Sequence, residues 1–197
     1  MRLISTKSRK LNEFFDNDIP SYAILSHRWE QDEVSYQDML EGKKKNGAGY
    51  AKILKCCALA LREGYEWVWI DTCCIDKKSS TEISEAINSM FRWYCESGNC
   101  YAYLSDVTNF RDVADNIYCP DFKRSKWFTR GWTLQELLAP FSLIFFNRDW
   151  EQIGNKNEMA ADIKDATGIP KKLLQYRANA NDFSVAQKMS WASSRST

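Results

Sequence analysis

Four short apolar runs constrain the fold of this chain more than any other feature: Tyr22–Leu25, Trp67–Ile70, Tyr101–Leu104 and Leu143–Phe146. Each is continuous rather than alternating, the pattern of strands buried on both faces in a parallel sheet. Segments with helical spacing separate them. Lys52–Glu63 carries Ile53, Leu54, Ala58 and Leu61, and Gly64 stands where a helix stop belongs. Ser80–Cys95 opens on Ser80 or Thr81, has Glu82 in its first turn, and ends before Gly98. Its apolar stripe is Ile83, Ile87, Met90, Phe91 and Tyr94, which reads as core. A third helix is expected over Arg130–Leu138, stopped by Pro140, and two more near Lys156–Ala166 and Pro170–Tyr176. This alternation predicts an α/β domain with a mostly parallel sheet of four to five strands, and the crossovers are long enough to be right-handed.

No internal repeat is visible. Glu41–Gly49 (EGKKKNGAG) is polar and reads as a mobile loop, and Asp106–Lys126 is a second long connection of the kind that often carries function. Residues 1–177 read as one domain. Residues 178–197 form its C-terminal segment, polar apart from Phe183, Val185, Met189 and Trp191, and the natural protein is expected to continue beyond it.

Composition removes several function classes. Twenty-seven Lys and Arg oppose 26 Asp and Glu, so the chain lacks the basic excess of a protein that binds nucleic acid through bulk charge. No apolar run approaches the ~20 residues of a membrane span, and the first residues lack a secretory apolar region. The seven cysteines then suit buried thiols in a reducing, cytoplasmic setting. With one histidine, His27, no metal site is expected.

In open α/β sheets ligands bind beyond the carboxyl ends of the strands. There the chain places Ser26, His27, Arg28 and Trp29; then Asp71 and Asp76; then Ser105 and Asp106. Hydroxyls and carboxylates can hold ribose, Arg28 can fork onto a phosphate, and Trp29 or Trp132 can stack on a flat base. In Arg130–Leu138 (RGWTLQELL), Trp132 and Glu136 are spaced i, i+4 and share a helix face, with Leu134, Leu137 and Leu138 expected to pack on the sheet. By pattern alone, this remains open between a nucleotide-shaped site and ordinary polar strand ends.

Five ordered blocks resemble the fungal heterokaryon-incompatibility (HET) domain: Tyr22–Trp29 (YAILSHRW), Trp69–Lys77 (WIDTCCIDK), Ser84–Tyr94 (SEAINSMFRWY), Cys100–Val107 (CYAYLSDV) and Arg130–Pro140 (RGWTLQELLAP). The opening MRLIST and the closing Ala186–Ser193 (AQKMSWAS) are similar to that family as well. The resemblance implies a programmed cell-death effector, commonly the N-terminal part of receptors with a central NTPase module and C-terminal repeats. This chain has no P-loop, so an NTPase would be elsewhere or absent.

HET domains are in turn similar to TIR domains, whose flavodoxin-like, three-layer α/β fold often cleaves NAD at the nicotinamide–ribose bond. The TIR glutamate sits in W-C-x-x-E on the helix after the third strand. Trp132–Glu136 keeps that spacing, with Thr133 in place of the cysteine. The resemblance thus implies Glu136 as the catalytic residue, ionised at neutral pH. It implies Ser26, Arg28, Trp29, Asp71, Asp76 and Trp132 as substrate contacts, Glu41–Gly49 as a gate or a contact to a neighbouring protomer, NAD as substrate, no cofactor, and activity on self-association. Glu82 and Glu85 are rival carboxylates. Two other readings stay open: a non-catalytic module that triggers death by homotypic assembly, and a cysteine hydrolase built from His27 with Cys73 or Cys74.

Overall fold

In the computed structural model, which describes residues 1–15, 18–108, 111–113, 116–118, 121–193 and 195–196, each of the four apolar runs falls on a strand at the centre of one sheet, with Tyr22 just before its strand and Leu104 just after. The chain opens with a hairpin, β1 (Arg2–Ser5) and β2 (Leu11–Glu13). The first apolar run becomes β3 (Ala23–His27), followed by α1 (Tyr36–Glu41) and α2 (Ala48–Arg62). The second is β4 (Trp67–Ile70), which turns directly into the four-residue α3 (Asp71–Cys74) and then α4 (Ser80–Glu96). The third is β5 (Asn99–Tyr103). A small hairpin follows, β6 (Arg111–Val113) and β7 (Asn116–Tyr118), then two 3-10 turns and α5 (Thr133–Leu138). The fourth is β8 (Leu143–Phe146), with β9 (Gln152–Asn155), α6 (Ala160–Thr167), α7 (Lys171–Leu174) and α8 (Val185–Ser193) after it.

The sheet has seven strands in the order β2-β1-β4-β3-β5-β8-β9. The central four are parallel, and β1, β2 and β9 pair antiparallel at the edges. Four to five strands were expected. The difference lies in these edge strands, which are three or four residues long and only partly buried, so they lack the continuous apolar run that marks the central ones. From β3 the chain crosses to β4 on one side; from β4 it crosses back over β3 to β5 on the other. With right-handed crossovers this reversal puts α2 on one face of the sheet and α4 and α5 on the opposite face. α4 and α5 pack on each other. The carboxyl ends of β3 and β5, on either side of the reversal, open a crevice for side chains from the loops.

Local signals act much as the residues dictate. The Ser79 side chain caps α4 by accepting from the Glu82 amide at 3.3 Å, one residue ahead of the expected start. Gly64, at φ +91°, ends α2 in the left-handed conformation that glycine adopts without a Cβ clash. The apolar stripe of α4 departs from expectation. Met90 and Tyr94 are buried, but Ile87 is 46% and Phe91 53% exposed. The face that meets the sheet is Ala86, Met90, Trp93 and Tyr94, rotated away from Ile87 and Phe91. On α5, Leu137 is buried while Leu134 and Leu138 are half-buried, and Thr133 and Glu136 occupy the inward face.

Lys156, just after β9, is 3% exposed. Its ammonium donates to the carbonyls of Leu137 at 3.1 Å and Pro140 at 2.6 Å, and it also bonds the Tyr176 hydroxyl. A cation thus holds the C-terminal end of α5, where the helix leaves carbonyls without an intrahelical partner. Burial lowers its pKa to about 8. Lys156→Met is expected to destabilise the protein by about 2 kcal/mol, since it strands a buried acceptor. A urea-denaturation midpoint equal to that of the parent would show that this anchor carries no stability.

Cys56, Cys57, Cys73, Cys74, Cys95 and Cys100 are free thiols, all but Cys95 buried; Cys119 lies outside the described residues. Among the described residues no helix is long and apolar enough to cross a membrane, and no group of three or more His, Cys, Asp or Glu side chains is arranged to hold a metal.

Candidate active site

β3 ends on Ser26 and His27, both buried. Ser26 is held from two sides. Its hydroxyl accepts from the Trp127 indole N–H at 2.8 Å and donates to Glu136 Oε2. Glu136 reaches this point because α5 turns its short inward face toward the crevice, leaving the carboxylate 2% exposed. Burial is the main reason its pKa rises to about 7; the nearby Asp71 carboxylate adds to the rise, while the Ser26 hydroxyl and the Arg130 guanidinium oppose it. The sequence reading has this group ionised at neutral pH. Burial instead moves its titration from the usual carboxylate range up toward neutrality.

α3 supplies the second carboxylate. Asp71 directly follows the last residue of β4, so the strand delivers it to the same crevice. Its Oδ2 accepts from the Trp29 indole N–H at 2.6 Å, and burial raises its pKa. Trp29 is 43% exposed at the rim. Two cations stand over its ring: Lys77 Nζ at 3.2 Å from the centroid and Arg130 Cζ at 4.8 Å. Arg130 also donates to the His27 carbonyl at 2.7 Å.

These groups line one cavity of about 250 Å³. Glu136 and Asp71 form its polar floor, Arg130, Lys77, Trp29 and Trp132 its rim, and Ile75, Ile83, Ala86, Ile87 and Met90 its apolar wall. The half-exposure of Ile87 has its cause here, since it faces the cavity rather than the core. A positively charged or hydroxylated group can meet the carboxylates on the floor, and a flat ring can lie against the indoles and the α4 wall.

Of the residues singled out in the sequence, Trp29, Asp71, Trp132 and Glu136 line this cavity, and Ser26 lies buried behind it, hydrogen-bonded to Glu136. Arg28 and Asp76 do not line it. Arg28 is exposed and faces a shallow depression with Trp29, Glu30, Gln31 and Asp32, since β3 ends at His27 and the alternation of the strand no longer sets the direction of the next side chain. Asp76 shapes the turn into α4, accepting from Gln37 Nε2 at 2.6 Å and from the Lys78 amide at 2.9 Å, and its pKa is lowered by those bonds. The rival Glu82 pairs with Arg2 and accepts from the Asp76 amide at 2.7 Å, while Glu85 is exposed on a different depression beside β1. The expected Glu41–Gly49 loop narrows to Gly42–Gly47, because Glu41 closes α1 and Ala48 opens α2, and it likewise borders another depression, with Arg9 and Asp38.

Sequence reasoning did not mark Arg130, Lys77 or Trp127 as site residues. The signal available for Arg130 was its place two residues before Trp132, at the entry to α5. Trp127 gave none that distinguishes it from core packing. The pairing of His27 with a cysteine nucleophile meets two obstacles. Cys73 is fully buried, and its thiol is pushed well above its ordinary pKa by the hydrogen bond with Cys74 and by burial, so the thiolate is disfavoured. Burial and the nearby Lys52, Arg130 and Lys77 cations push the His27 pKa well below its ordinary value, which leaves it a weak base for a thiol; its closest acidic atom is Asp71 Oδ1, at 3.6 Å.

The model of the family described as "Heterokaryon incompatibility protein (HET)" matches residues 22–118. That span holds Ser26, Trp29, Asp71 and Lys77; Arg130, Trp132 and Glu136 lie past it. The chain is 50% identical over 183 residues to a protein of Podospora anserina named "Vegetative incompatibility protein HET-E-1". The match takes in 91% of this chain and 13% of that relative, so the chain spans about an eighth of the relative's length. No solved structure gives a significant match.

Proposed function

Because this chain belongs to the heterokaryon-incompatibility (HET) domain family, we propose that it is the effector domain of a fungal vegetative-incompatibility protein and triggers cell death by cleaving NAD at the nicotinamide–ribose bond. The observation that carries this reading is the position of Glu136: a buried carboxylate on the floor of an indole-rimmed cavity, hydrogen-bonded by Ser26. Two features support kinship with TIR domains. The W-x-x-x-E spacing falls on the helix that follows the third parallel strand. The four parallel strands, numbered along the chain, lie in the order 2-1-3-4, as in flavodoxin-like sheets.

The bond to be broken joins ribose C1′ to a pyridinium nitrogen. Its electron pair leaves with nicotinamide, which needs no proton, so one carboxylate suffices where O-glycosidases use two. Glu136 stabilises the positive charge that develops on the ribose, and its Ser26 hydrogen bond fixes the carboxylate's direction. Water then adds at C1′ and releases a proton, giving ADP-ribose, or the ring is closed by an internal nucleophile. Trp132 lies against the nicotinamide or ribose, and Asp71 holds ribose hydroxyls. The cationic pyridinium favours the ionised form of Glu136 once substrate is bound. Since the free carboxylate titrates near 7, kcat/KM for nicotinamide release is expected to rise about tenfold from pH 6 to pH 8. A pH-independent rate over that range would remove Glu136 as the titrating group.

A non-catalytic role in homotypic assembly is favoured by one observation. Ile87, Phe91 and Met189 are exposed on α4 and α8, and Phe91 borders a shallow apolar surface with Trp132, Leu134 and Leu138. Self-association through this face, with NTPase or repeat modules supplied in cis or trans, is compatible with either role. Purified domain at rising concentration, assayed for nicotinamide release from NAD, separates them: an assembling enzyme gives turnover that grows faster than linearly, and a pure adaptor gives none.

A further inference from the structure

The cavity is electrically graded. Its carboxylates, Glu136 and Asp71, are 2% and 9% exposed, whereas Arg130 is half-buried and Lys77 is exposed. Negative charge therefore sits at the bottom and positive charge at the mouth. Among the described residues neither cation forms an ion pair with a carboxylate. Arg130 spends one nitrogen on the His27 carbonyl, and among the described residues Lys77 makes no hydrogen bond, its ammonium resting on the Trp29 ring. Trp29 is in turn fixed by its indole bond to Asp71. Two cations thus share one anchored aromatic platform at the mouth, with hydrogen-bonding capacity unspent.

We propose that Lys77 and Arg130 form an anion subsite for the phosphate or diphosphate of a nucleotide whose ribose end enters the cavity. Size and polarity point the same way. At about 250 Å³ the cavity falls below the ~300–1,000 Å³ of sites that enclose a drug-sized ligand, so it takes the ribose and one ring and leaves the phosphates at the mouth. A guanidinium and an ammonium there supply forked and point-like donors to phosphate oxygens. A substrate inserted phosphate-first would set its anion against Glu136 and Asp71. The grading therefore fixes orientation as well as ligand class. Arg28, the cation that the sequence offered for this task, lies outside the cavity.

Identifying the anion with the diphosphate of NAD rests on the proposed function; the anion site itself rests on the two cations. Calorimetric titration with inorganic pyrophosphate tests the site without catalysis. The parent protein is expected to bind, more weakly at higher salt. Lys77→Gln, which changes an exposed side chain, is expected to weaken binding about tenfold, and Arg130→Gln by at least as much. Absence of binding up to about 10 mM, or equal affinity in Lys77→Gln, overturns the subsite. A second arm compares NAD, nicotinamide mononucleotide and nicotinamide riboside as substrates. The preference for phosphate-bearing substrates should shrink in Lys77→Gln through KM, with kcat little changed. Pyrophosphate binding without NAD cleavage would sink the proposed reaction and keep the anion site. NAD cleavage with an unchanged KM in Lys77→Gln would do the reverse.

Discussion

Glu136→Gln is expected to lower nicotinamide release from NAD by about 10³-fold or more and to abolish killing, because it removes the negative charge that meets the developing cation on ribose. The same substitution should stabilise the fold above neutral pH, and the sign follows from linkage. Burial raises the Glu136 pKa from 4.5 to about 7, so the native state holds a proton that the unfolded chain has released. The stability this group contributes is fully present below about pH 4.5 and is lost as the pH rises through about 7. At pH 8 the buried charge costs on the order of 3 kcal/mol, which a neutral glutamine does not incur. Glutamine also keeps an acceptor for the Ser26 hydroxyl. Thermal unfolding should therefore show Glu136→Gln melting about 5–10 °C above the parent at pH 8, with the gap closing toward pH 5. A well-folded, fully active Glu136→Gln protein would remove the catalytic assignment. A variant that melts no higher than the parent at pH 8 would show that the carboxylate is not strained by its burial.

Trp127→Ala is expected to cost about 3–5 kcal/mol, enough to threaten a marginally stable domain. Trp127 is 1% exposed and packs edge-on against Phe128 and Phe145, at 5.1 and 5.8 Å between ring centroids. It joins that aromatic cluster to the site, since its indole N–H is the bond that orients Ser26 beneath Glu136. Trp127→Phe separates the two contributions. It keeps most of the packing and loses the donor, so its unfolding free energy from denaturant titration should fall by about 1 kcal/mol. Nicotinamide release should fall further than that loss of stability accounts for, because Ser26 becomes free to rotate. Equal activity in Trp127→Phe and the parent would show that Ser26 does not need this support.

Much of the site was legible in the residues because strand ends announce themselves. An apolar run that stops on Ser26 or Asp71 marks where a side chain leaves the sheet, and the parallel arrangement puts all such ends on one edge. The same logic could not separate Arg28 from Arg130. Both adjoin a candidate motif, and which one enters the crevice depends on the direction the chain takes after β3 and on the turn that leads into α5. The stripe on α4 misleads for a related reason. Ile87 and Phe91 have the spacing of a core face, yet Ile87 lines a cavity and Phe91 lies open on the surface. Hydropathy records what a side chain avoids and does not say whether protein, ligand or another molecule covers it.

The chain by itself determined a parallel α/β centre, its four inner strands and the main helices between them, because continuous apolar runs and helical periods are local properties of the residues; Glu136 was singled out by the resemblance of its W-x-x-x-E spacing to a family motif. Only the tertiary structure decided that Glu136 faces inward onto Ser26, that Arg130 and Lys77 rather than Arg28 guard the cavity mouth, and that short antiparallel strands extend the sheet at both edges. Those outcomes depend on contacts between residues tens of positions apart. Helix rotation, burial and the resulting pKa of about 7 arise only once the elements are packed together.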